Sequence, residues 1–78
     1  MQVIITNTAA KDLRKMPKRD AAAILVKLDI YATKGVGDVT KLQGRDGYRL
    51  RHGKYRAIFE INGDVIVLII AHRSKVYK

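Results

Sequence analysis

The sequence has 78 residues, no cysteine, and 16 Lys plus Arg against 7 Asp plus Glu, for a formal net charge of +9. A chain this short holds one core, so residues 1–78 are read as a single domain. The lack of cysteine removes disulfides, thiolate metal sites and thiol nucleophiles, and fits a reducing cytoplasm. The first residues, Met1 to Thr6, carry no basic segment and no long apolar run, which argues against a signal peptide. The longest apolar run, Val65 to Ala71, is far too short to span a bilayer and is read as a buried strand. The surplus charge attracts polyanions, leaving nucleic acid, acidic membranes and acidic proteins as candidate partners.

In chain order, Val3 to Thr6 is β-branched and predicts a short strand stopped by Asn7. Thr8 is the expected N-cap of a helix over Ala9 to Met16, with Ala9, Leu13 and Met16 on one face and Lys11, Arg14 and Lys15 largely on the other. Pro17 interrupts the pattern and predicts a kink or a new helix start. A second helix is expected from Lys18 to Thr33, with Ile24, Leu28 and Tyr31 as its apolar stripe and Ala21 and Leu25 alongside. Gly35 and Gly37 end it. From there the period changes from 3.6 to 2. Tyr48–Arg51, Lys54–Ile61 and Asp64–His72 read as three strands separated by His52-Gly53 and Asn62-Gly63. Asn-Gly predicts a type I′ hairpin turn. The last strand is apolar on both faces and is placed mid-sheet, beside the N-terminal strand. The expected fold is therefore α+β, in the order β-α-α-β-β-β, with an N-terminal helical hairpin on one face of a four-stranded, mainly antiparallel sheet.

The charge is concentrated. Between positions 41 and 56 lie Lys41, Arg45, Arg49, Arg51, Lys54 and Arg56 against the single acid Asp46. Strand alternation directs Tyr48 and Leu50 one way and Arg49 and Arg51 the other. A tight turn at His52-Gly53 would then bring Arg49, Arg51 and Arg56 onto one sheet face, with the helices on the other. A plain solvated face is the alternative reading. Arginines clustered on adjacent strands repel one another, and their planar forks match phosphate oxygens, which favours an anionic ligand.

The stretch Leu42-Gln43-Gly44, followed by Gly47 through Ile61, resembles the central hairpin of RelE/ParE-type toxins. Ala71-His72-Arg73-Ser74-Lys75-Val76-Tyr77 is similar to their C-terminal signature, and Ala10 through Pro17 to their first helix. The resemblance covers most of the chain in the family's order. It implies a toxin of a type II toxin–antitoxin pair. RelE-like members cleave messenger RNA in the ribosomal decoding site without a metal or cofactor, whereas ParE-like members inhibit DNA gyrase. A non-enzymatic nucleic-acid-binding module is the third reading. The implied partners are a cognate antitoxin, the ribosome and messenger RNA, with operator DNA bound only by the toxin–antitoxin complex. No membrane partner is implied.

Carried over residue by residue, Arg56 would hold the scissile phosphate, and Arg73 and Tyr77 would serve acid–base chemistry and base stacking. Arg45, Arg49, Arg51 and Lys54 are the expected phosphate contacts, with His72 as an accessory candidate or a hydrogen-bonded structural residue. Arg49 and Arg51 stand where some relatives carry lysines. Arginine binds phosphate but stays protonated, so it is a poor general base, which shifts the burden to Tyr77 or His72.

Overall fold

The computed structural model describes residues 1–76, with the element order β1 (Val3–Ile5), α1 (Asn7–Arg14), α2 (Lys18–Lys34), β2 (Val39–Lys41), β3 (Tyr48–His52), β4 (Tyr55–Asn62), β5 (Asp64–His72) and α3 (Arg73–Val76). Among the described residues, no helix is long and apolar enough to cross a membrane. The sheet runs β1-β5-β4-β3-β2. The β1–β5 pair is parallel and the other pairs are antiparallel. The apolar last strand thus lies between the N-terminal strand and the hairpin, as its composition predicts.

The α+β class holds, but among the described residues the sheet has five strands rather than four. The additional strand is β2, which pairs Val39 with Leu50 and Lys41 with Tyr48. Three residues are too few to display an alternation, so only pairing with β3 reveals them. The first helix also begins earlier than expected. Thr6, not Thr8, is its N-cap, with its side chain accepting from the Ala9 N–H. Pro17 does start a second helix, and its carbonyl accepts from the amides of Asp20 and Ala21. The hairpin turns are not type I′, since among the described residues only glycines have a positive φ. Gly53 (φ +56°) opens the β3–β4 turn, ahead of Lys54, with the φ signs of a type II′ turn, and at the β4–β5 tip Gly63 alone is positive (φ +74°).

The core lies between the helical hairpin and one sheet face. Ala9, Ile24, Leu28 and Ala32 meet Leu50, Ala57, Phe59, Val65, Val67 and Ile70. Ile24 and Leu28 are the expected stripe, and Tyr31 packs at its margin, whereas Leu25 faces solvent. Phe59 sits between Tyr31 and Tyr48, each ring centroid 5.5 Å away.

The β4–β5 ladder contains one irregularity. Ile58 pairs with Ile69 and Phe59 with Val67, which leaves Leu68 as an extra residue on β5. Val67 and Ile70 consequently both face the core although they are three positions apart. The bulge therefore turns Ile69 and Ala71 onto the sheet face away from the helices.

Candidate functional site

The sheet face opposite the helices carries the charge. In the β3–β4 register Arg49 is opposite Ile58 and Arg51 opposite Arg56, so the three arginines share one face, as the alternation predicts. On the far side of β4, Ile58 pairs with Ile69 and Arg56 with Ala71. Thr40 of β2, the partner of Arg49, extends the same face. Here lies a cleft of about 700 Å³. Among the described residues, Ile58, Ile69 and Ala71 contribute apolar lining, and Lys41, Arg45, Arg49 and Lys75 bring four cations with no acidic side chain. Ile58 is buried and lies outside the main core cluster.

This combination suits a polyanion that also presents flat apolar surface. Phosphates are attracted to the cations, and the lining offers a dry area against which a nucleobase can lie. Among the described residues no cluster of three or more His, Asp or Glu could hold a metal ion.

The expected phosphate contacts divide. Arg45 and Arg49 line the cleft. Arg51 does not. It donates from Nε to Asp38 Oδ2 at 2.8 Å in an exposed ion pair, and its own amide donates to the Asp38 carbonyl. Lys54 is exposed in the β3–β4 turn, where its carbonyl accepts from the Arg73 amide at 2.7 Å. That bond ties the hairpin turn to the start of α3.

Arg56 is only 6% exposed, and its Nη1 donates at 2.8 Å to the carbonyls of both Gly53 and Tyr55. Its guanidinium is folded onto the turn that precedes it. Arg73 is exposed at the first position of α3, and Tyr77 lies outside the described residues. His72 pairs with Tyr55, and the two rings meet edge to face at 6.3 Å. Its Nδ1 lies 3.0 Å from Ser74 Oγ and accepts from the Ser74 amide, so a neutral ring carries its proton on Nε2. The bulge at Leu68 sets this placement, since it brings His72 opposite Tyr55 while Ala71 takes the cleft side.

Lys41 and Lys75 also line the cleft, although the sequence does not single them out as contacts. Lys41 was legible as part of the charge cluster, but the β2 strand that carries it was not. Lys75 follows the last strand, and only α3 brings it back against Ala71 and Ile69. His52, read as a turn residue, ties helix to sheet. Its Nδ1 is 2.8 Å from Lys27 Nζ, which can only donate, so Nε2 carries the hydrogen directed at Asp20 Oδ1, 3.1 Å away.

Comparison with known proteins follows the same outline. Residues 3–77 match the family described as the ParE toxin of the type II toxin–antitoxin system, parDE. The chain is 31% identical to toxin RelE3 of Methanocaldococcus jannaschii, an alignment of 84 residues covering 99% of this chain and 96% of that protein. Among solved structures it is similar to the RelB–RelE antitoxin–toxin complex from Methanococcus jannaschii, with a TM-score of 0.78, 28% identity and coverage of 95% of this chain and 94% of that one. The archaeal RelE–RelB complex from Pyrococcus horikoshii OT3 gives a TM-score of 0.77 and 32% identity over 95% of this chain and 96% of that one. The toxin–antitoxin complex RelBE2 from Mycobacterium tuberculosis gives 0.78 and 27%, over 92% and 96%.

Proposed function

Because the chain belongs to the ParE toxin family of type II toxin–antitoxin systems, within the RelE/ParE superfamily, we propose that it is a toxin that cleaves messenger RNA on the ribosome. The observation that carries this reading is the cleft on the outer sheet face, whose described lining has four cations, no acidic side chain and apolar side chains from β4 and β5. A protein contact would not need so uniform a charge, whereas an RNA strand supplies phosphates and bases together.

In this reading Arg45, Arg49, Lys41 and Lys75 hold the RNA backbone. Arg73, at the start of α3, acts at the scissile linkage, and Tyr77 follows it in the C-terminal sequence as the acid–base candidate. Cleavage requires removal of the 2′-OH proton, attack of that oxygen on phosphorus, and protonation of the departing 5′ oxygen. We assign removal of the 2′-OH proton to Tyr77, with Arg73 stabilising the charge that develops on phosphate and a water protonating the departing 5′ oxygen. Arg56 would meet the scissile phosphate through the guanidinium donors other than Nη1. Its Nη1, bonded to the Gly53 and Tyr55 carbonyls, also braces the turn that carries Lys54.

The partner would be a cognate antitoxin, since the similar solved structures are antitoxin–toxin complexes. The toxin would act in the cytoplasm, and operator DNA would be bound only by the complex. Gyrase inhibition is the second reading, favoured by the match to the ParE family description.

Primer extension on translated messages after induction separates the two. The nuclease reading expects new 5′ ends within translated regions, lost in Arg73→Ala and Tyr77→Phe variants. Intact transcripts, together with growth arrest relieved by a resistant gyrase, would overturn it in favour of the second reading.

A further inference from the structure

The lining of the cleft depends on a choice of register that β5 does not make by itself. Val65 through Ala71 is apolar at every position, so either face of the strand could be buried at similar benefit. If the pairing of Val65 and Val67 continued without interruption, Ile69 and Ala71 would turn toward the helices and Ile70 toward the cleft. The extra residue Leu68 reverses this.

Two side chains from the start of the chain hold that irregularity. The Thr6 hydroxyl shares its hydrogen between the carbonyls of Val67 (2.8 Å) and Leu68 (3.1 Å), while its oxygen accepts from the Ala9 amide as the α1 cap. The Thr6 amide also donates to the Val67 carbonyl. One turn into α1, Asp12 Oδ2 accepts from the Ile70 amide at 2.9 Å. These groups meet the backbone on both sides of Leu68, where a bulge leaves the ladder interrupted.

We infer that Thr6 and Asp12 are positioning residues for the cleft. They fix the bulge in β5 and so select Ile69 and Ala71, rather than Ile70, as the apolar surface presented to RNA. The inference rests on the reading of the cleft as the RNA site. Neither residue contacts RNA in this arrangement; both act through the strand.

The test combines register with binding. Cross-strand proton NOEs between Ile58 and Ile69 and between Arg56 and Ala71 report the bulged register. Affinity is measured with a fluorescein-labelled single-stranded RNA at fixed salt. Asp12→Ala and Thr6→Val are expected to lose those NOEs and to weaken RNA binding by about tenfold. Asp12→Asn and Thr6→Ser retain an acceptor and a hydroxyl and are expected to restore both. Deleting Leu68 from the chain removes the need for a bulge while keeping Ile69 outward and Ile70 inward. In that background Asp12→Ala should cost no affinity.

A folded Asp12→Ala protein that keeps the Ile58–Ile69 NOE overturns the inference. So does an equal loss of affinity with and without Leu68. If Asp12→Ala does not fold, the Thr6→Val and Thr6→Ser pair decides by the same criteria. Failure of the cleft reading looks different. Arg49→Ala and Lys75→Ala would then leave RNA affinity unchanged, while the NOEs still report whether Thr6 and Asp12 set the register.

Discussion

Arg51 and Arg56 lie directly opposite one another on adjacent antiparallel strands, and each is held by a different partner. Arg51 reaches Asp38 in a pair whose side chains are 62% and 56% exposed, while Arg56 is buried against the carbonyls of Gly53 and Tyr55. Two like charges at one register position are tolerated because one is paired at the rim and the other is solvated by backbone oxygens.

The consequence is an asymmetry in stability. Arg51→Ala removes an exposed ion pair and should cost less than about 1 kcal/mol. Arg56→Ala removes charge-assisted hydrogen bonds from a buried position and should cost about 2–3 kcal/mol. Urea unfolding of the two variants compares them. Equal costs would show that the Arg56 contacts to the turn do not hold in solution.

The cleft cations should report themselves through salt. Each of Arg45→Ala, Arg49→Ala and Lys75→Ala should lower the slope of log K against log salt by about 0.7 for single-stranded RNA, if each side chain neutralises one phosphate. Arg51→Ala, outside the cleft, should change the slope less. Fluorescence anisotropy titrations at several salt concentrations make the comparison.

Phe59 joins the helices to the sheet. It is fully buried, with Tyr31 and Tyr48 on its flanks. Phe59→Leu keeps most of the volume but loses both ring contacts, with an expected loss of about 1–2 kcal/mol. Phe59→Ala should cost about 3–5 kcal/mol and leave a protein this small barely folded. Thermal melts by circular dichroism distinguish the two.

Gly47 fixes the loop that brings Arg45 to the cleft. Its φ is +118°, and an added Cβ would lie 3.1 Å from the Phe59 carbonyl oxygen and 3.2 Å from Leu42 Cδ1. Its carbonyl also accepts from the Leu42 amide, closing the loop. Gly47→Ala should therefore destabilise by about 2 kcal/mol or more. Gly44→Ala, with φ +74° and open space around it, should cost about 1 kcal/mol. A Gly47→Ala protein as stable as Gly44→Ala would contradict the close approach to β4.

Much of the fold follows from local pattern. The change of period after Gly37, the break at Pro17 and the apolar run of β5 give the helices, the hairpin strands and the central place of the last strand. The same alternation places Arg49, Arg51 and Arg56 on one face. Charge is equally legible, because six cations against one acid within positions 41–56 need no structure to be seen. These features depend on residues near one another in sequence, and short-range periodicity encodes them.

Tertiary structure decided the rest. β2 exists as a strand only through its pairing with β3, and Lys75 reaches the cleft only because α3 follows β5 back across the sheet. Arg56 carries the same charge as its neighbours, yet it is buried because the turn before it offers two carbonyls. In β5 the sequence is silent about direction, since the run from Val65 to Ala71 is apolar at every position and has no preferred face. Thr6 and Asp12, more than fifty residues earlier in the chain, meet the backbone around Leu68 and settle which isoleucine enters the core and which lines the cleft. Such long-range hydrogen bonds leave no local periodic trace in the sequence, so only the folded chain reveals them.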